Sequence, residues 1–158
     1  MIRARVLTCS DAASRGERED RSGPAVRDLL VARGFDVELV VVPDDIDAIA
    51  NAIASSEARL IVTTGGTGIA ARDVTPEATM RVCERVIPGF GELMRAKSLE
   101  KTPMAALSRA QAATRGETLV INLPGSVRGA TENLEAVLHL IPHALDLLAG
   151  KTEHRGEG

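Results

Sequence analysis

The alternation of two hydrophobic periods along the chain is the strongest constraint on its fold. Short runs rich in Val, Ile and Leu are separated by longer stretches in which apolar residues recur every three to four positions. The predicted strands are residues 2–8, 37–42, 60–64 and 119–122. Because parallel strands need long crossover connections, this order predicts an α/β fold of three layers, with a mostly parallel sheet between helices on both faces.

Capping residues and prolines mark the ends of the predicted helices. The run Ser22-Gly23-Pro24 predicts the cap and first turn of one helix, and Gly34 predicts its end. Either Asp44 or Asp45 can cap the next helix. Pro142 interrupts the apolar stripe of the last helix, so a bend or break is expected there.

Size and cysteine usage bound the organisation of the chain. With 158 residues, of which 44% are hydrophobic, one domain is predicted over residues 1–150, followed by a polar tail at residues 151–158. Cys9 and Cys83 form no CxxC motif, which predicts neither a disulfide framework nor a zinc site and favours a cytoplasmic protein. No apolar run has the length of a signal-peptide core or a membrane span.

Charge and aromatic content exclude several classes of partner. The net charge is −3, and the chain has two Phe but no Tyr or Trp. A nucleic-acid-binding protein needs a positive field for the phosphates and often aromatic rings on which bases stack. We therefore expect neither a nucleic-acid nor a membrane partner.

Polar residues follow each predicted strand. These exits are residues 8–11, 43–45, 63–68 and 122–126. In parallel sheets, ligands bind beyond the carboxyl ends of the strands, where loops converge and helix N-termini present free N–H groups. A ligand site is therefore predicted at this edge.

The run Thr64-Gly65-Gly66-Thr67-Gly68 is the most informative of these exits. Three of its five residues lack side chains, so backbone amides can approach an anion, and the threonines add hydroxyl donors. The alternative is a tight turn without a ligand. The glycines and Ala71 also fit the GxGxxG/A pattern of nicotinamide enzymes, although Asp73 and Pro76 interrupt the helix that this pattern requires.

Two carboxylates lie just beyond predicted strands. Asp44 and Asp73 should meet at the same edge, where they could share Mg²⁺ with a bound phosphate. Helix capping is the alternative role for either residue. The pair Ser108-Arg109 could bind an anionic substrate, or Arg109 could be an ordinary helix-surface residue.

Taken together, these motifs resemble a known family. The glycine run followed by Arg72-Asp73-Val74-Thr75-Pro76-Glu77 is similar to the signature of the molybdopterin adenylyltransferases of molybdenum-cofactor biosynthesis. The further blocks that resemble this family are Ser10-Asp11, Ser22-Gly23-Pro24, Val42-Pro43-Asp44-Asp45, residues 88–95, Leu107-Ser108-Arg109-Ala110 and Asn122-Leu123-Pro124-Gly125-Ser126.

The resemblance implies a molybdopterin-binding fold, a homotrimer, and Mg²⁺-dependent transfer of AMP from ATP to the terminal phosphate of molybdopterin, with release of pyrophosphate. It implies that Asp44 and Asp73 hold the metal. The nucleotide contacts that it implies are Asp11, Thr64, Gly65, Gly66, Thr67, Gly68, Pro124, Gly125 and Ser126. Ser108 and Arg109 would bind the pterin phosphate. A molybdenum-insertion enzyme would receive the product.

The B-type relatives of this family provide an alternative. They share the glycine run and the Arg-Asp segment, and such proteins could bind pterin without catalysing transfer. The blocks at residues 88–95 and 122–126 are more similar to those of the adenylyltransferases.

Overall fold

A computed structural model describes residues 1–151, which contain a six-stranded sheet in the order β2-β1-β3-β6-β5-β4. The strands are β1 (Arg3–Cys9), β2 (Asp36–Val42), β3 (Leu60–Thr64), β4 (Arg85–Val86), β5 (Gln111–Arg115) and β6 (Thr118–Leu123). β2, β1, β3 and β6 run parallel, whereas β5 is antiparallel to both β6 and β4. The four predicted strands and the mostly parallel sheet are confirmed. The predicted tail beyond Lys151 lies outside the described residues.

Helices cover both faces of the sheet, which confirms the predicted three layers. They are α1 (Asp11–Ser14), α2 (Ser22–Ala32), α3 (Ile46–Ala54), α4 (Thr75–Val82), α5 (Pro88–Leu99), α6 (Val127–Val137) and α7 (Ile141–Leu148). One apolar core packs α2, α5, α6 and α7 on one face, and a smaller core packs α3 and α4 on the other. Within residues 1–151 no helix combines the length and the apolarity that a membrane span requires.

The N-terminus of α2 differs from the prediction. The Ser22 hydroxyl does not cap the helix but hydrogen-bonds the Thr64 hydroxyl at 2.9 Å, at the end of β3. Asp20 takes the capping role, because its Oδ1 accepts from the Gly23 N–H at 3.0 Å. The predicted end of α2 is confirmed, since Gly34 follows the helix with a φ of +89°.

Other helix boundaries follow the sequence. Asp45 caps α3 by accepting from the Ala48 N–H at 2.9 Å, which leaves the carboxylate of Asp44 for another use. The predicted break near Pro142 is confirmed: a 3₁₀ turn at Leu138–Leu140 separates α6 from α7, and the proline lies in the first turn of α7.

The antiparallel edge of the sheet was missed by the sequence prediction. Two of the five residues of β5 are Ala, which has low strand propensity, and the segment is a strand because it pairs with β6. Gly116, with a φ of +55°, supplies the tight turn between β5 and β6. β4 has only two residues, too few to produce a period in the sequence.

A buried polar cluster fixes the position of α4 against the sheet. The Asn122 amide donates to the hydroxyls of Thr63 at 3.1 Å and Thr79 at 3.0 Å. Its carbonyl oxygen accepts from the Gln111 amide at 3.3 Å. Asn122, Thr63 and Thr79 are fully buried, so each depends on these partners for its hydrogen bonds.

We therefore predict that Asn122→Leu destabilises the protein by about 2–4 kcal/mol, because it leaves two buried hydroxyls without a donor. Urea unfolding followed by circular dichroism measures the loss. The exposed Asn51 is the control, and Asn51→Leu should change the free energy of unfolding by about 0.5 kcal/mol or less. Equal losses for the two variants would contradict a stabilising role for the cluster.

Candidate functional site

The strand order creates a crevice between β1 and β3. After β1 the chain crosses to β2 on one side, whereas after β3 it crosses towards β4 and β5 on the other side. Ligands in parallel sheets bind at such a reversal of connections. A cavity of about 700 Å³ lies at these strand ends. Its lining includes Cys9, Ser10, Arg18, Asp20, Asp44, Thr64, Gly65, Gly66, Asp73, Gly125 and Ser126.

The glycine loop, residues 64–68, packs too closely against its neighbours for side chains at Gly65 and Gly66. Gly65 and Gly66 have φ angles of +93° and +71°. A Cβ on Gly65 would collide with the carbonyl oxygen of Cys9, and one on Gly66 would collide with the Thr75 hydroxyl. Thr75 fixes the loop by donating its hydroxyl to the Gly65 carbonyl at 2.9 Å and its N–H to the Gly66 carbonyl at 3.1 Å. The loop is therefore rigid where it faces the cavity.

The members of the predicted loop do not all face the same way. Thr64, Gly65 and Gly66 line the cavity. Thr67 is buried, and its carbonyl accepts from the Arg109 N–H at 2.7 Å. Gly68 packs closely on Asp73, because a Cβ there would lie 2.7 Å from the Asp73 Oδ2.

The carboxylates of Asp11 and Asp44 each accept a hydrogen bond from the backbone N–H of the other residue. The Asp44 N–H donates to the Asp11 Oδ1 at 3.0 Å, and the Asp11 N–H donates to the Asp44 Oδ2 at 3.1 Å. Arg72 adds two bonds to the Asp11 Oδ2, at 3.0 and 2.7 Å. The Arg72 guanidinium, together with the Asp44 N–H, lowers the pKa of Asp11. Asp11 is thus a charged and fully engaged carboxylate.

Asp44, in contrast, keeps one oxygen free. Among the described residues, its Oδ1 is the single buried side-chain oxygen or nitrogen without a hydrogen-bond partner. Burial raises the pKa of Asp44, and the negative charges of Asp11 and Asp73 act in the same direction. A buried carboxylate oxygen without a partner is costly in an empty protein, but it is a suitable ligand for a cation.

Asp73 completes a pair of carboxylates in this cavity. Its Oδ2 accepts from the Ala70 N–H at 3.0 Å, which orients the side chain across the turn. The structure therefore brings Asp44 and Asp73 together, as expected from the sequence. Over residues 1–151 no group of three or more acidic, His or Cys side chains is placed to hold a metal. Mg²⁺ commonly uses one or two protein carboxylates, with phosphates and water as the other ligands.

Sequence reasoning missed the segment between α1 and α2. Arg18, Asp20 and Arg21 line the cavity from this segment. Asp20 accepts from the Thr8 hydroxyl at 2.8 Å, in addition to capping α2, and so ties the segment to β1. An Asp three residues before Gly23 was a capping signal that could have been recognised, whereas Arg18 has no comparable signature.

Ser108 and Arg109 line a second cavity of about 360 Å³, together with Arg95 and Gln111. They do not line the first cavity. The Arg109 guanidinium donates to the Gly68 carbonyl at 2.8 Å and to the Asp73 carbonyl at 2.7 Å, and it pairs with Glu77. Arg109 thus lies between the two cavities.

Of the remaining residues predicted to contact the nucleotide, some line the first cavity and one does not. Gly125 and Ser126 line the first cavity, but Pro124 does not. Ser126 also caps α6, because its hydroxyl accepts from the Gly129 N–H at 3.0 Å.

Cys9 lines the cavity as well, but burial raises the pKa of its thiol to about 12, so it is not a thiolate nucleophile near neutral pH.

We predict that Asp44→Asn changes the pH dependence of thermal unfolding. Because the folded pKa of Asp44 is raised, its contribution to stability falls as the pH rises from the unfolded carboxyl pKa of about 3.9 and reaches its lowest value above the folded pKa; well below pH 4 the group is neutral in both folded and unfolded states. The melting temperature of the variant relative to the natural chain should therefore rise between about pH 3 and about pH 7 in the absence of metal.

Asp45→Asn provides the control for this measurement, since Asn replaces Asp well at a helix N-cap. Differential scanning fluorimetry across the pH range compares the three proteins. A difference for Asp44→Asn that is the same at every pH would contradict the assignment of a destabilising buried charge.

Comparisons with known proteins show the family to which the chain belongs. Residues 5–143 match the family model described as "Probable molybdopterin binding domain". A protein of Helicobacter pylori strain J99 named molybdopterin adenylyltransferase is 45% identical over 152 residues, which span 92% of this chain and 86% of the relative. The Escherichia coli K12 protein of the same name is 39% identical over 143 residues, covering 86% of this chain and 73% of that protein.

A solved structure has the same fold. The molybdopterin biosynthesis enzyme MoaB from Thermus thermophilus superposes with a TM-score of 0.88 at 51% identity, covering 96% of this chain and 98% of that one. The family match spans most of the sequence and includes the strand exits that form the main cavity. The chain therefore belongs to the molybdopterin-binding domain family.

Proposed function

We propose that this chain is a molybdopterin adenylyltransferase that transfers AMP from ATP to the terminal phosphate of molybdopterin. The observation that carries the proposal is the combination of a rigid glycine loop and a free buried oxygen of Asp44 in one cavity. A triphosphate needs backbone donors and a cation at the same place, and this cavity supplies positions for both. The names of the relatives support the same activity.

The reaction needs no covalent enzyme intermediate. An oxygen of the terminal phosphate of molybdopterin attacks the α-phosphorus of ATP, the bond from that phosphorus to the bridging oxygen breaks, and pyrophosphate leaves. The chain contributes binding and orientation, which can lower the barrier substantially without a protein nucleophile.

The unpartnered Oδ1 of Asp44 and the nearby carboxylate of Asp73 fit a divalent cation. They would hold Mg²⁺, which supplies positive charge that offsets the negative charge developing on the phosphates. Arg18 lines the cavity, and none of the ion pairs observed among the described residues involves its side chain. We assign Arg18 to the outer phosphates of the nucleotide.

The two substrates occupy neighbouring positions in this proposal. Gly125 and Ser126 border the adenosine side of the first cavity. Pro124 and Asp11 do not line this cavity, and Asp11 acts on it through its hydrogen bonds with Asp44. The second cavity receives the pterin phosphate beside Ser108, and Arg109 forms part of the wall of this cavity. We also infer a cytoplasmic homotrimer whose product passes to a molybdenum-insertion enzyme.

A second candidate is a B-type protein that binds molybdopterin without transferring AMP. One observation favours it: the Thermus thermophilus structure, which shares half of its residues with this chain, has a B-type name. The two candidates differ in whether ATP is consumed when molybdopterin is supplied.

Mass spectrometry of the purified chain incubated with molybdopterin, ATP and Mg²⁺ tests the proposal. Adenylylated molybdopterin and an equal amount of pyrophosphate are the expected products. Molybdopterin binding without either product would support the B-type alternative, and the absence of binding would reject both candidates.

Gly66→Ala should weaken ATP binding at least about tenfold, because the new methyl group collides with Thr75 and pushes the loop out of position. Gly34→Ala is the matched control: Gly34 also has a positive φ, of +89°, but a Cβ there meets nothing within 4 Å. Both variants should lose about 1–2 kcal/mol of stability from backbone strain, whereas only Gly66→Ala should lose ATP affinity in calorimetry. Equal ATP affinities would place the nucleotide elsewhere.

Asp73→Asn should lose turnover at least about a hundredfold while it retains molybdopterin. The Asn carbonyl can still accept from the Ala70 N–H, so the turn survives, but the charge that would hold a divalent cation is gone. Steady-state rates and a separate molybdopterin titration measure the two effects. Asp28→Asn, on the exposed face of α2, is the control. Full activity of the Asp73 variant would remove this residue from the catalytic site.

A further inference from the structure

Arg109 makes an unusual set of contacts with one short loop. Its backbone N–H donates to the Thr67 carbonyl at 2.7 Å, and its Nε donates to the Gly68 carbonyl at 2.8 Å. Its Nη2 donates to the Asp73 carbonyl at 2.7 Å, and its Nη1 pairs with Glu77 in the first turn of α4. One residue therefore holds both ends of the loop at residues 67–73.

Thr75 closes the base of the loop from outside it, by donating to the Gly65 and Gly66 carbonyls, but residues 67–73 themselves have few other attachments. Its central residues are exposed, and Ile69 has 69% of its surface accessible. The Asp73 N–H donates to the Ala70 carbonyl and the Ala70 N–H donates to the Asp73 carboxylate, but these bonds lie within the loop itself. Besides the Arg109 contacts, the ion pair between Arg72 and Asp11 links a side chain of residues 67–73 to the rest of the described chain.

We propose that Arg109 is a positioning residue that holds Asp73 in the nucleotide cavity, and that it thereby connects the two cavities. The catalytic part of this inference rests on the proposed adenylyltransferase function. The structural part, that Arg109 determines the conformation of residues 67–73, does not.

The chemistry of the side chain supports a positioning role over a role as a simple anion ligand. Each of the three guanidinium nitrogens of Arg109 already has an acceptor, and Glu77 provides the opposing charge. The bond from Arg109 lowers the pKa of Glu77, so the pair stays charged at neutral pH. These bonds use three of the five N–H groups, and a phosphate bound to the other two would share the guanidinium charge with Glu77. Only the planar fork of Arg can reach acceptors in these separate directions, which Lys cannot do.

Hydrogen–deuterium exchange of the full chain, without ligands, tests the structural part. Arg109→Ala and Arg109→Lys should both raise exchange in peptides that cover residues 65–74 by at least about fivefold, with little change elsewhere, because neither side chain can hold both ends of the loop. Arg81→Ala is the control, since Arg81 forms a comparable ion pair with Asp47 outside the loop and should leave this exchange unchanged. Unchanged exchange in both Arg109 variants would overturn the proposal.

Two further measurements test the catalytic part. The rate of AMP transfer at saturating substrates should fall at least about tenfold in Arg109→Ala and Arg109→Lys, whereas the Kd for molybdopterin should change by less than about threefold. A phosphate ligand would behave differently: Arg109→Lys would keep most of the pterin affinity, Arg109→Ala would lose it, and exchange would stay normal. That pattern would overturn the positioning role.

The two proposals can fail separately. If the natural chain shows no AMP transfer but the exchange results hold, the proposed function fails and the structural role of Arg109 stands. If the natural chain is active and the Arg109 variants exchange normally with full turnover, the positioning role fails and the proposed function stands.

Discussion

The close contact between Gly65 and its neighbours is the constraint on which the rest of the site depends. Its backbone packs against the Cys9 carbonyl at the end of β1, and its N–H donates to the Leu123 carbonyl at the end of β6, at 3.1 Å. A Cβ on Gly125 would lie 3.2 Å from the Cα of Gly65. Three strand ends therefore meet at one residue. Any side chain there would separate them, so glycine is required by packing as well as by its positive φ.

The acidic residues around this point have different tasks that follow from their surroundings. Asp45 and Asp20 satisfy helix N-termini, and Asp11 is neutralised by Arg72. Asp44 is left with an oxygen that the protein does not satisfy. Folding alone would favour a residue without a buried charge at this position. Asp44 instead lowers the stability of the folded chain at a place where, under the proposed function, a bound cation would offset the loss. Residues that serve function often reduce stability in this way.

Periodicity and capping predicted the layers, the four parallel strands and the meeting of Asp44 with Asp73, because these depend on local pattern and on the geometry of parallel sheets. They could not predict β5, whose Ala-rich sequence becomes a strand only through its neighbour. Nor could they predict the contacts of Arg109, since an Arg reaches partners more than thirty residues away through the tertiary fold. From its sequence context, an Arg that binds a ligand phosphate cannot be distinguished from an Arg that binds a protein carbonyl.

The pairing of β3 with β6 determines when the contacts around Gly65 can form during synthesis. These strands are 59 positions apart, with Leu60 opposite Leu119, so they can pair only after most of the chain has left the ribosome. The Leu123 carbonyl that holds Gly65, and the Gly125 that packs on it, arrive with β6. A nascent chain that ends before this strand has the glycine loop and Thr75, but it lacks the contacts that β6 and Gly125 make with Gly65. The packing around Gly65 is therefore completed late in synthesis, when β6 joins the sheet.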